Sequence, residues 1–77
     1  MQSAMDWDDW RVFLAVARGG GLSAAAPRLR MDPATVGRRV ARLEERLGAA
    51  LFRKGPGGYA LTDLGARLLA PAEAAEE

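Results

Sequence analysis

The chain has 77 residues, 49% of them hydrophobic and 27% charged, with a formal net charge of +1 and neither cysteine nor histidine. This is ordinary globular composition for one domain, near the size at which a single core is only marginally stable and an elaborate pocket does not fit. The missing cysteines and histidines exclude disulfide frameworks, zinc and iron–sulfur sites, thiol nucleophiles and histidine bases together.

The apolar runs are a few residues long, far short of the roughly 20 that span a bilayer, and no basic-then-apolar segment opens the chain. The expected location is therefore the cytoplasm, on the nucleoid if the partner is DNA. The small net charge hides a gradient. Residues 28–54 carry eight Arg or Lys against Asp32, Glu44 and Glu45, a net of +5, while residues 1–27 sum to −1 and residues 55–77 to −3. So local a positive field is the footprint of a nucleic-acid binder.

In chain order, residues 1–5 have no periodic signal and read as a disordered start. Asp6 is a suitable N-cap, and Asp8 and Asp9 occupy a first turn where the helix dipole favours negative charge. Trp7, Trp10, Phe13, Leu14 and Ala17 follow the spacing of a buried helical face, which reads both tryptophans as core or near-core anchors, and Gly19–Gly21 end the helix. Ser23 is expected to cap a second, shorter helix through about Leu29, with Leu22 packing back over its first turn. Pro27 is placed in that first turn, where its missing N–H is tolerated. Arg30 and Met31 turn the chain into Asp32.

Asp32 to Gly48 is the most informative stretch. Asp32 caps, Pro33 suits the first helical position and Gly48 stops the helix. Val36, Val40, Leu43 and Leu47 share one face, which must be buried. Thr35, Arg38, Arg39, Arg42 and Arg46 form a stripe on another, with Arg38, Arg42 and Arg46 at successive i, i+4 spacings that cost about 0.2 to 0.5 kcal/mol per like-charged pair. A solvated face of good helix formers is the plain reading, but the repulsion suggests an anionic partner. A three-residue turn from a capped helix into this one is the helix-turn-helix pattern.

Beyond Gly48, Ala50–Phe52 and Tyr59–Leu61 flank Gly55-Pro56-Gly57-Gly58 as two strands of a hairpin, with Arg53 and Lys54 on the first. As a phosphate cradle this turn lacks the following Lys-Ser/Thr of a P-loop. Thr62 is expected to cap a last helix from Asp63, with Leu64, Leu68 and Leu69 on its buried side and Pro71 kinking or interrupting it. The acidic end of the chain reads as the opening of a longer helix. The fold class is thus mostly α with a small β-hairpin: a three-helix core, a two-stranded wing and a C-terminal helix.

The chain resembles the N-terminal winged helix-turn-helix domain of LysR-type transcriptional regulators, from about Trp7 to Leu69. The resemblance rests on Phe13-Leu14-Ala15-Val16-Ala17, Leu22-Ser23 with Ala25-Ala26 and Leu29, Val36 with Arg38 and Val40, Leu43-Glu44 with Leu47-Gly48, Leu51-Phe52, and Leu61-Thr62 with Gly65. Where the family commonly has Ser-Gln-Pro this chain has Asp32-Pro33-Ala34; it has Gly37 for a frequent Ser, which removes a hydroxyl from the DNA-facing edge, and Lys54 for Arg. The resemblance implies a DNA-binding unit over 6–62 and a dimer-forming linker helix opening at 63–77. It also implies a homodimer on an inverted-repeat operator in double-stranded DNA, with any small-molecule effector bound by a C-terminal domain. The chain ends before such a domain, which leaves a piece of a longer regulator and a stand-alone reader both open.

The DNA-binding candidates are Pro33, Ala34 and Thr35 for base edges, Gly37 for close backbone approach, Arg38 and Arg39 for guanine or phosphate, and Arg42 for phosphate. Ser23 is a further phosphate candidate, and Arg53 and Lys54 belong to a wing on backbone or minor groove. Arg28 and Arg46 read as solvated. A protein-interaction module that antagonises or heterodimerises with a related regulator is the alternative. No enzyme, cofactor or metal is expected, since Ser23, Thr35, Tyr59 and Thr62 have no histidine beside them. Val40→Asp should unfold the domain, because an unpaired charge in the core costs an amount comparable to the whole stability of about 5 to 15 kcal/mol; a normal melting temperature in that variant would refute the assigned buried face.

Overall fold

The computed structural model describes residues 7–76. The chain runs through helices α1 (Trp7–Gly19), α2 (Leu22–Leu29) and α3 (Pro33–Leu47), strands β1 (Phe52–Gly55) and β2 (Gly58–Leu61), and helix α4 (Asp63–Glu76). This is the winged helix-turn-helix order read from the sequence. Residues 1–5 and the cap assigned to Asp6 lie outside the described residues. No helix among them is long and apolar enough to cross a membrane.

Helix α1 is the centre of the molecule. Val12, Phe13, Leu14, Ala15 and Val16 are all buried, and five consecutive buried positions mean that the helix is covered on every side rather than along one stripe. Its cover comes from α2, α3, α4 and β2. The core begins only at Val12, which corrects the reading of the first turn. Trp7 is 44% exposed, whereas Trp10 is half-buried and packs edge-on against Phe13, ring centroids 6.2 Å apart. The buried residue of that turn is Asp9, whose Oδ2 accepts from Arg46 Nη1 at 3.0 Å. Arg46, read as solvated, instead holds the start of α1 to the end of α3.

Two details of α2 also differ from expectation. The Ala25 N–H donates to the Gly21 carbonyl at 3.2 Å, so the helix starts at Leu22 with Gly21 as its cap and no side-chain cap bond. Ser23 is therefore the second helical residue, not the cap. Pro27 consequently falls inside the helix rather than in its first turn, and the helix continues through it. The carbonyl that loses its amide is that of Ser23, at the exposed surface where water can replace it.

Helix α3 follows its signals closely. Asp32 accepts from the Thr35 N–H at 2.9 Å, Pro33 opens the helix, and Gly48 closes it at φ 73°. Val36, Val40 and Leu43 are buried beneath it and Leu47 is half-buried. The hairpin pairs Phe52 with Leu61, Arg53 with Ala60, Lys54 with Tyr59 and Gly55 with Gly58, in antiparallel register. Phe52 is its root. Its ring lies between Phe13 and Tyr59, at centroid distances of 5.6 and 6.0 Å.

Thr62 caps α4 as expected: its Oγ1 accepts from the Gly65 N–H at 3.1 Å and donates to the Ala50 carbonyl at 2.7 Å. Of the two outcomes expected at Pro71, a kink or an interruption, the interruption does not occur, because α4 runs on to Glu76. Pro71 is on the exposed side, Ala72 beside it is buried, and the turn beyond is fastened to α1 by Arg18, which donates to Glu76 at 2.7 and 2.9 Å and reaches Glu73 at 3.5 Å. These bonds raise the Arg18 pKa further above its ordinary value, mainly through Glu76, and lower that of Glu76. Nor are Leu64, Leu68 and Leu69 fully covered; they are half-buried, and the buried residues of α4 are Gly65 and Ala72.

Gly65 lets α4 lie directly on the chain leaving α3. A Cβ there would collide with the Leu51 carbonyl, a backbone atom that cannot turn aside, and would also press on the Leu61 side chain. Gly65→Ala should therefore cost about 1 to 3 kcal/mol through overpacking, lowering the melting temperature by roughly 5 to 20 °C. Gly57→Ala, where a Cβ meets open space, is the control and should melt like the parent.

Candidate nucleic-acid interface

The exposed side of α3 is built on its cap. With Asp32 fixing the first turn, Pro33 and Ala34 are exposed and Thr35 is half-buried at the helix start. Thr35 Oγ1 then accepts from Arg38 Nη2 at 3.0 Å, which holds that guanidinium along the helix. Thr35, Arg38, Arg39 and Arg42 together line one open recess of about 310 Å³. Among the described residues, Arg11, Arg18 and Arg46 each pair with an acid, but Arg38, Arg39 and Arg42 enter no ion pair.

The wing extends this surface. Lys54 lies 6.0 Å from the centroid of the Tyr59 ring, its cross-strand neighbour. It borders a groove that also contains Ala34, Gly37, Arg38 and Ala41 of α3, and a second recess that contains Ser23 at the start of α2. Ser23, Lys54 and the basic stripe thus form one continuous face. Arg53, one residue earlier on β1, projects from the other side of the hairpin and is exposed beside the wing tip. The structure brings Lys54 to α3 but not Arg53.

Gly37 occupies a different position from the stripe. A Cβ there would approach Leu22 Cδ1 to 3.1 Å, so its bare edge faces α2 and lines the groove toward the wing. A serine at this position would press on Leu22.

Sequence reasoning missed the residue that fixes the wing. Glu44 Oε2 accepts from the Leu51 N–H at 2.7 Å and from the Phe52 N–H at 3.1 Å, while its own carbonyl accepts from Gly48 and Ala49 at the end of α3. The signal was its place beside the apolar face of the helix, away from the arginines. A second attachment, Tyr59 N–H to the Gly20 carbonyl at 2.8 Å, ties β2 to the turn between α1 and α2. Gly58, at φ 118°, abuts that same carbonyl and has no room for a Cβ. The spacing of three glycines before α2 gave no hint of this partner.

Comparison with known proteins places the geometry. Residues 7–66 match the family model described as bacterial regulatory helix-turn-helix protein, lysR family. The chain is 42% identical over 67 residues to the Mau operon transcriptional activator of Paracoccus denitrificans, covering 87% of this chain and 24% of that protein. It is 48% identical over 61 residues to the transcriptional activator AmpR of Rhodobacter capsulatus, covering 79% of this chain and 21% of that protein. The chain therefore spans under a quarter of the length of these relatives. Among solved structures, a CbnR DNA-binding domain complexed with DNA superposes with a TM-score of 0.86 at 32% identity, covering 94% of this chain and 83% of that one. A BenM DNA-binding domain on benA site 1 DNA gives 0.87 at 26% identity, covering 94% and 81%.

The cap of α3 titrates. Hydrogen bonds from Thr35, through its side chain and its N–H, and the nearby charge of Arg38 hold the Asp32 carboxyl below its ordinary range. A carboxyl whose pKa is lower folded than unfolded contributes stability at pH values above the unfolded pKa, and that contribution is lost as pH falls through the folded pKa. Asp32→Asn, which keeps a capping oxygen but no charge, should flatten the acid side of the stability profile below about pH 4; melting curves from neutral to acid pH that fall in parallel with the parent would refute the assignment.

Proposed function

Since the chain belongs to the lysR family of bacterial regulatory helix-turn-helix proteins, we propose that it reads double-stranded DNA in sequence-specific fashion, with α3 in the major groove and the wing on the flanking backbone or minor groove. The observation that carries this is the division of the arginines. Arg11, Arg18 and Arg46 hold acids of the same chain, whereas Arg38, Arg39 and Arg42 line one recess and enter no ion pair among the described residues. Three cations kept together without acids on a rigid helix fit a polyanion.

In this docking Pro33, Ala34 and Thr35 reach base edges, where apolar atoms meet a thymine methyl. Arg38, steadied by Thr35, reads guanine, and Arg39 and Arg42 grip phosphate. Lys54 and the N-terminal turn of α2 at Ser23 take the backbone on one side of α3, because first-turn N–H groups and an ammonium both suit phosphate. Gly37 supports close passage of α2 against α3, and Arg53 serves the outer side of the wing. Residues 6–62 form the DNA-binding unit. The helix from 63 onward, with Leu64, Leu68 and Leu69 half-covered, serves as the linker through which two copies pair on an inverted repeat. The protein works at the nucleoid, without catalytic activity, and an effector belongs to a separate C-terminal domain.

The test is a salt titration of binding to the operator selected from random duplexes. If each protomer neutralises about four phosphates, the dimer should lose affinity with a log-log slope of about −7; a flat response would overturn DNA binding. Arg38→Ala should weaken specific binding roughly 5- to 150-fold, as expected for a lost arginine–guanine pair of about 1 to 3 kcal/mol, and non-specific binding much less. Equal loss in both would make Arg38 a phosphate contact instead.

A further inference from the structure

Three left-handed residues close helices in this domain, and two of them are glycine. Gly20 ends α1 at φ 78° and Gly48 ends α3 at φ 73°. The third is Arg30, at φ 56°, the only non-glycine residue with positive φ among those described.

The backbone requirement at Arg30 is the same as at Gly48. At Gly48 the Ala49 N–H donates to the Glu44 carbonyl at 3.2 Å and the Gly48 N–H to the Glu45 carbonyl at 3.2 Å. At Arg30 the Met31 N–H donates to the Ala26 carbonyl at 3.1 Å and the Arg30 N–H to the Pro27 carbonyl at 3.3 Å. Both are Schellman closures, whose left-handed residue is normally glycine because a Cβ crowds the backbone there. The side chain of Arg30 therefore opposes the local fold. Among the described residues nothing compensates for it electrostatically: Arg30 is exposed and enters no ion pair. A strained, exposed cation without an internal partner points outward for its explanation.

Its position supplies one. Arg30 lies in the turn that delivers the chain to Asp32, directly ahead of the first turn of α3. We infer that Arg30 is an additional DNA-backbone contact, its guanidinium meeting a phosphate beside the groove that α3 enters. This rests on the DNA-binding reading above. The left-handed backbone sets the direction in which the side chain leaves the turn, so the strain fixes the reach of the contact.

Arg30→Gly separates the two roles of the residue, because it relieves the backbone while deleting the charge. The variant should melt a few degrees higher than the parent. Its binding to a mixed-sequence duplex at low salt should weaken several-fold, with a log-log salt slope shallower by about 0.9 per protomer. Arg30→Lys, which keeps the charge, should retain the parent slope. An Arg30→Gly variant with unchanged affinity and slope would overturn the inference, as would an Arg30→Lys variant that loses as much slope as glycine. A parent chain with no salt-dependent DNA binding would overturn the functional reading itself, a result distinct from either.

Discussion

The relation between the basic helix and the wing rests on one carboxylate. Glu44 sits in the last turn of α3 and accepts both the Leu51 and Phe52 N–H groups, so the chain leaving the helix is fixed where β1 begins. Hydrogen bonds to a charged acceptor contribute about 1.5 to 3 kcal/mol each, enough to hold a hairpin that on its own would be marginal in water. From Phe52 the effect passes outward. The ring is clamped between Phe13 and Tyr59, the register follows, and Lys54 arrives beside Arg38 as a consequence.

The small size of the domain explains why the remaining contacts are so economical. Its core is essentially one buried helix, α1, with everything else laid around it. Close approach is achieved where side chains are absent. Gly65 lets α4 rest on the Leu51 carbonyl, and Gly58 lets β2 rest on that of Gly20. Each of these carbonyls also accepts an amide of the element it touches, from Thr62 and Tyr59 respectively. Carbonyls in the segments that follow α1 and α3 thereby become the attachment points for the wing and α4.

Charge is divided between holding the fold together and leaving a surface open. Arg46 with Asp9 joins α3 to α1, and Arg18 with Glu73 and Glu76 joins α1 to α4 across Pro71. The exposed pairs among these contribute little individually, but they neutralise arginines that would otherwise extend the positive field over the whole domain. Among the described residues, Arg38, Arg39 and Arg42 on the outer side of α3, Arg30 in the turn before it and Lys54 on the wing enter no ion pair. That concentration makes the domain polar in the sense that matters for a duplex, despite a net charge of only +1.

The order of elements was legible in the sequence because its signals are local. Asp32 and Pro33, Gly48, the Val36–Val40–Leu43 spacing and the Gly-Pro turn each act within one turn of chain, and the structure follows them. The basic stripe was equally plain. The errors fall where a local rule met a distant partner. Trp7 has the spacing of a core residue, but the core starts a turn later; Ser23 has the chemistry of a cap, but Gly21 starts the helix first. Pro71 lacks an amide, yet Arg18, far away in sequence, holds the turn beyond it. Glu44 and Arg46 look alike on paper as charged residues near the end of one helix, and only the fold shows that one anchors the wing and the other meets Asp9. The sequence by itself determined the helices, the hairpin and the side of α3 that carries positive charge, since these depend on residues within a few positions of one another. Which cations stayed open to a partner, and that Lys54 rather than Arg53 stands beside them, was decided by tertiary structure, because pairing depends on what the other elements bring within reach.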